Sequence, residues 1–176
     1  LDLDGTLTTS TKEITERTKR AIFLARERGV HIVLASGRPL IGILSVAEQL
    51  NLLGQDATIL AYNGGQLVST KDLGVLWQKT VDVQTIHTCF AYAKTQNLAA
   101  LSYDGNGVIT EMPDDRHVHI EAYNNAIPIR KVDSLIKEVQ TPRPKIMIVG
   151  EPSRLIEARE ELLEAVGDVA DIGFSE

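Results

Sequence analysis

The spacing of apolar positions changes several times along the chain, and each change marks an element. Leu1 and Leu3 alternate with Asp2 and Asp4, the period of a strand, before Asp4-Gly5-Thr6-Leu7 turns the chain away. Ala21, Ile22 and Ala25 then recur at helical spacing. Thr15 is placed as their N-cap, with acidic Glu16 in the first turn and Gly29 as a left-handed stop. Residues 30–35 form a nearly unbroken apolar run, the signature of a parallel strand covered on both faces, with His31 inside it. Pro39 opens a second helix, carrying Leu40, Ile43, Leu44, Ala47 and Leu50 on one stripe. A further apolar run, 57–62, ends at Asn63-Gly64-Gly65. Strand, helix, strand, helix, strand with short links predicts three parallel strands of a doubly wound α/β sheet.

Beyond Gly65 the pattern changes. Residues 66–69 and 75–80 read as a hairpin across Lys71-Asp72-Leu73-Gly74, and Asp82 caps a helix running to about Asn97. A second hairpin, 98–103 with 108–112, surrounds Asp104-Gly105-Asn106-Gly107. Residues 120–126 read as helix, 145–149 as strand, 152–166 as a helix rich in Glu-Arg pairs, and 169–174 as a last strand. Helices beside antiparallel hairpins make an α+β module. The expected division is therefore 1–80 and 81–176.

Composition narrows the class of protein. Of 176 residues, 43% are apolar and 24% charged, as in a globular domain. The net charge of −6 argues against a general nucleic-acid binder, which carries a basic stripe. No apolar run approaches the roughly 18 residues of a membrane span. A single cysteine, Cys89, leaves no disulfide framework and suits a reducing compartment, so a cytoplasmic location without nucleic-acid or membrane partners is the expectation.

Candidate chemistry collects where strands end, because open parallel sheets bind ligands beyond the carboxyl ends of their strands. Three such ends carry small or polar residues: Asp2 with Asp4, Ser36 with Gly37, and Asn63 with Gly64. Two carboxylates two residues apart share one face of an extended strand. Beside a divalent cation, one can act as nucleophile and ligand while the other moves protons. Glycine lets backbone amides approach an anion, and Ser36 adds a hydroxyl. Together these groups suggest phosphoryl transfer.

Asp2-Leu3-Asp4-Gly5-Thr6-Leu7 matches the first motif of the haloacid dehalogenase-like superfamily, and Ser36-Gly37-Arg38-Pro39 after an apolar strand resembles the second. Asn63-Gly64-Gly65 followed by an α+β insertion resembles the Cof-type branch, which holds sugar phosphatases and hydrolases of other small phosphates. The resemblance implies a Rossmann-like core, of which residues 1–80 are the N-terminal half, with an inserted α+β cap in 81–176. It implies a Mg²⁺-dependent phosphatase of small phosphorylated metabolites, sugar phosphates foremost. Asp2 would attack phosphorus, and Asp4 would protonate the leaving oxygen and then activate water. Mg²⁺ would be held by the Asp2 carboxylate, the Asp4 carbonyl and an acid from a later motif. The Leu3 amide, Ser36 and Gly37 would hold phosphate oxygens, Asn63 and Gly64 would join them as substrate- or phosphate-binding residues, and Thr6 and Arg38 would support the site.

The family's third motif, a Lys, and its fourth, Gly-Asp with further acids, are not recognisable. Lys145 reads as part of a strand in the α+β module, and Gly167 before Asp168 reads as a helix C-cap. The chain thus reads as a piece of a longer protein, lacking the C-terminal half of the core and without turnover of its own. Its sheet would leave the first or third strand as an open edge.

Other residues have plainer readings. His117, His119 and Glu121 would share a face only if extended, and read as polar side chains facing solvent. His31 reads as a buried core histidine, Cys89 as a packed thiol, Trp77 and Tyr103 as sheet packing, and the charges of 157–164 as a solvated helix face. Two rival functions stand beside hydrolysis. One is a phosphosugar mutase or phosphotransferase; the other is a noncatalytic phosphate-binding module.

Overall fold

The computed structural model describes residues 1–9 and 11–174, which divide into two compact units, Leu1–Lys79 and Thr80–Glu176.

In the first unit the chain turns almost at once. The Leu3 carbonyl accepts the amides of Leu7 and Thr8, both at 3.0 Å, and the Thr8 hydroxyl at 3.1 Å. Gly5, at φ +76°, supplies the left-handed step that a side chain would resist. That turn ends the predicted first strand early. Residues 1–4 make only single bridges, Asp2 beside Ala35 and Asp4 beside Thr8, in place of a regular strand. Helix α1 (Glu16–Glu27) starts at Thr15, whose hydroxyl accepts the Thr18 amide at 3.2 Å. Its buried face is narrower than the spacing predicts: Ile22 is buried, whereas Ala21 and Phe23 are exposed.

Strand β1 (Ile32–Ala35) pairs in parallel with β2 (Ala57–Ala61), and α2 (Leu40–Gln49) connects them. β1 begins two residues later than predicted. Val30 and His31 lie outside it and are exposed, so His31 is not a core residue; its Nε2 lies 2.5 Å from the Thr58 hydroxyl. The sheet continues past the parallel strands through the hairpin β3 (Gln66–Ser69) and β4 (Val75–Gln78), both pairings antiparallel, in the order β1-β2-β3-β4. The outer edge of β2 is therefore covered, and β4 is the edge on that side. β4 is exposed along its length, and Trp77 is half exposed instead of packed. Leu3, Leu34, Ile43, Leu52, Ile59 and Val68 are fully buried at the centre of this unit.

In the second unit β7 (Ile129–Lys131), β6 (Val108–Thr110), β5 (Ala99–Tyr103) and β8 (Met147–Val149) lie in that order in one sheet. Helix α3 (Val83–Thr95) begins at Asp82 and leads to β5 (Ala99–Tyr103), which pairs antiparallel with β6 (Val108–Thr110) and with β8 (Met147–Val149). Ile86, Phe90 and Ala93 of α3 pack with Ala100, Ile109 and Ala158. Ala158 belongs to α6 (Pro152–Val166), whose Leu162 and Val166 close over Cys89, a packed thiol. Helix α4 (Arg116–Asn125) starts earlier than predicted because the Asp115 carboxylate accepts the amides of His117 and Val118. In that helix His117, His119 and Glu121 do not alternate on one face. Two short elements escape the sequence pattern: β7 (Ile129–Lys131), parallel to β6, and α5 (Leu135–Glu138). Lys145 precedes β8 and lies outside it, and burial pushes its amine below the usual lysine range. Residues 169–174 form no strand. The amides of Val169 and Ala170 bond back to the Val166 carbonyl, extending the end of α6, and the Phe174 ring lies 5.7 Å from the Arg159 guanidinium carbon.

Candidate active site

The residues singled out at the strand ends all belong to the first unit, and backbone hydrogen bonds tie their loops together. The Ser36 amide donates to the Leu60 carbonyl at 2.9 Å, holding the exit of β1 against β2. The loop after β2 returns the contact: Tyr62 N–H donates to the Arg38 carbonyl at 3.0 Å and Asn63 N–H to the Ser36 carbonyl at 3.2 Å. Ser36 Oγ accepts the Arg38 amide at 3.2 Å, which tightens the turn at Gly37. A Cβ at Gly37 would lie 3.0 Å from Asn63 Nδ2, so only glycine fits there without displacing the Asn63 amide group. Asp2 is exposed beside Ala35, at the end of β1.

Asp4 is joined to this group through its side chain. Arg38 grips it with two hydrogen bonds, Nε to Oδ2 at 2.8 Å and Nη2 to Oδ1 at 2.6 Å, the fork-to-carboxylate geometry that favours arginine. Lys12 Nζ stands 3.9 Å from the same carboxylate. The Arg38 hydrogen bonds hold the Asp4 carboxyl below the usual carboxylate range, partial burial opposes them, and the charges of Arg38 and Lys12 add to the lowering. Asp4 is thus kept ionised, the state of a proton acceptor.

The structure therefore brings Asp4, Ser36, Gly37, Arg38 and Asn63 into one connected set, with Asp2 alongside on the neighbouring segment. Gly64, at φ +92°, continues the turn behind Asn63, and Thr6 is exposed in the turn after Asp4. Leu3 is fully buried, with its carbonyl turned into the loop that follows. Lys12 and Tyr62 also take part and carry no motif. Both owe their places to left-handed backbone, φ 61° at Lys12 and 54° at Tyr62, which nothing in their residue types announces.

A sequence model described as haloacid dehalogenase-like hydrolase matches residues 1–176. The chain belongs to that family. Among relatives of this haloacid dehalogenase-like chain, a Bacillus subtilis protein named "Putative phosphatase YxeH" is 27% identical over 158 residues, covering 88% of this chain and 58% of its own length. The crystal structure of a haloacid dehalogenase-like hydrolase from Bacteroides thetaiotaomicron superposes with a TM-score of 0.95 at 33% identity, over 99% of this chain and 66% of that one. The subclass IIB sugar phosphatase BT4131 shares the fold, with a TM-score of 0.74 at 19% identity, over 94% of this chain and 62% of its own. The chain thus spans less than two thirds of each of these three proteins.

The groups this site could offer a metal are hard oxygen donors. Asp2 offers a carboxylate and Asp4 a backbone carbonyl, and oxygen donors of this kind suit Mg²⁺, which keeps several of its own waters. The Asp4 carboxylate itself is taken up by Arg38. Among the described residues no three His, Cys, Asp or Glu side chains gather into a ligand set. The donors present fit part of a Mg²⁺ shell. No described helix is long and apolar enough to cross a membrane.

Proposed function

We propose that the protein is a Mg²⁺-dependent phosphatase acting on small phosphorylated metabolites, sugar phosphates foremost, in the cytoplasm. The observation that carries this reading is the meeting of Asp4, Ser36, Gly37 and Arg38 in one hydrogen-bonded set beside Asp2. Relatives named as phosphatases, one of them a sugar phosphatase by name, support the substrate class. Asp2 and the Asp4 carbonyl would hold Mg²⁺, which when bound supplies charge neutralisation between carboxylate and phosphate.

In this reading an Asp2 oxygen attacks phosphorus, and the bond from phosphorus to the ester oxygen breaks. The leaving oxygen takes a proton from Asp4. Asp4, ionised again, accepts a proton from a water that attacks the aspartyl-phosphate and releases inorganic phosphate and free Asp2. The Leu3 amide, the Ser36 hydroxyl and the Gly37 amide hold the phosphate oxygens, an electrostatic cradle preorganised for the transition state. Residues 1–80 act as the core half that carries chemistry, and 81–176 as a cap that selects substrate.

Transfer to a second hydroxyl, as in a mutase, is the rival. Family mutases generally carry a helical cap between the first two motifs. Between Leu7 and Ser36 the described residues hold α1 and β1 alone, with no room for such a cap, which favours hydrolysis. Release of inorganic phosphate from a panel of sugar phosphates by the full-length protein, with and without EDTA, tests the reading. Mg²⁺-dependent release is expected. Tight phosphate binding with no release would point to a noncatalytic module, and phosphate appearing only on an added sugar acceptor would point to transfer.

A further inference from the structure

Two consecutive residues other than glycine, Tyr62 and Asn63, sit at positive φ, 54° and 55°. Asparagine tolerates this region through its short polar side chain, but a bulky tyrosine there is an outlier. Such strain persists only where the surroundings over-determine it. What the strained pair achieves is specific: it turns two successive amides onto the same loop. Tyr62 N–H meets the Arg38 carbonyl and Asn63 N–H meets the Ser36 carbonyl, so the two bonds bracket Gly37. The side chain of Asn63 completes the bracket, since a Cβ on Gly37 would meet its Nδ2 at 3.0 Å, its Oδ1 at 3.1 Å and its Cγ at 3.3 Å. No other residue stands among the three nearest atoms to that point.

We propose that Asn63 is a positioning residue: its left-handed backbone and its carboxamide, laid against Gly37, set the conformation in which the Ser36–Gly37–Arg38 loop receives phosphate. The inference rests on the phosphate-holding role given to that loop above, and it assigns Asn63 an action through Gly37 in place of a bond to substrate. The pairing is reciprocal. Gly37 has to lack a side chain because Asn63 occupies the space, and Asn63 has to be a residue that accepts φ near 55°. Loop amides displaced by even a fraction of an ångström lose the preorganisation that makes them useful to an anion.

A double-mutant cycle in the full-length protein tests this, read by the affinity for inorganic phosphate and by hydrogen exchange of residues 35–39. Asn63→Gly permits the left-handed backbone and removes the side chain with its carboxamide, so the protein folds with a looser loop. It should weaken phosphate binding by on the order of tenfold and speed exchange at 36–38. Gly37→Ala pushes against Asn63 and should weaken binding by a similar factor. The double variant should be no worse than Asn63→Gly alone, because the added methyl then meets empty space. Losses that multiply in the double variant would overturn the proposal, as would Asn63→Gly leaving both binding and exchange unchanged. If the wild-type protein binds no phosphate, the functional reading fails, and exchange at 36–38 decides the bracket: faster exchange in Asn63→Gly supports it, and unchanged exchange overturns it.

Discussion

Arg38 has the best-defined side-chain contact in the site. Its guanidinium is largely buried while the Asp4 carboxylate it grips is half exposed, so the pair has one fixed partner and one that faces solvent. A bidentate fork fixes the orientation of the carboxylate as well as its charge. In the proposed cycle Asp4 first gives a proton and then takes one, and the contact seen here belongs to the second role. Asp4→Asn keeps the shape but can neither donate as an acid nor accept as a base. Steady-state turnover should fall by about 10²–10⁴-fold, the usual contribution of general acid–base catalysis. Substrates with very acidic leaving groups should lose less, because they need no protonation, and comparing para-nitrophenyl phosphate with a sugar phosphate checks this. Equal losses on both would remove Asp4 from the role of acid. Asp2, Asp4 and Ser36 could be marked from sequence because their types and spacing carry the chemistry. Lys12 and Tyr62 could not, since their positions follow from left-handed backbone in a loop.

Among the elements, helix starts are where local chemistry decides most. Asp82 accepts the Thr85 hydroxyl at 2.6 Å and the Thr85 amide at 3.0 Å, and these bonds hold its carboxyl below the usual aspartate range, the hydroxyl contributing most. A depressed carboxyl pKa gives stability that is present above the unfolded value and lost as pH falls through the folded one. The wild-type protein should therefore unfold at a higher temperature than Asp82→Asn near neutral pH. The difference should vanish as the pH drops through the acid range, measured by circular dichroism melts at several pH values. A difference that persists in acid would show that charge is not what stabilises this start.

The same local logic explains which elements were legible. Thr15 and Asp82 announce α1 and α3 because a capping side chain next to a periodic apolar stripe is a strong signal. β7 and α5 are three and four residues long and contain Arg130, Lys131, Lys137 and Glu138, so no period develops. Residues 169–174 have a strand's alternation but pair with no strand among the described residues; bonding back to α6 satisfies the amides of Val169 and Ala170 instead. β1 starts late because Val30 N–H is bonded to the Ala25 carbonyl at the end of α1, which keeps it from the sheet.

For the whole molecule, the division at Lys79 separates two four-stranded sheets, each with one parallel and two antiparallel pairings; the strand ends of the first carry the candidate chemistry and the second carries none of it. Under the proposed function the first unit performs steps common to every phosphate ester, and the second makes the remote contacts that distinguish substrates. Exchanging residues 80–176 for the corresponding segment of a relative should reorder kcat/KM across a panel of sugar phosphates, because discrimination lies in differential binding of the transition state. An unchanged ranking would place specificity in the first unit.

If phosphate passes through a covalent bond to Asp2, chemical trapping should capture that bond. Borohydride quenching of the full-length protein during turnover reduces an aspartyl-phosphate to homoserine, which mass spectrometry locates in the peptide containing residues 1–20. Conversion at Asp2 is expected in the wild-type protein during turnover, none without substrate, and neither conversion nor turnover in Asp2→Asn. Wild-type turnover by Asp2→Asn, or conversion at any other carboxylate, would contradict a covalent bond to Asp2.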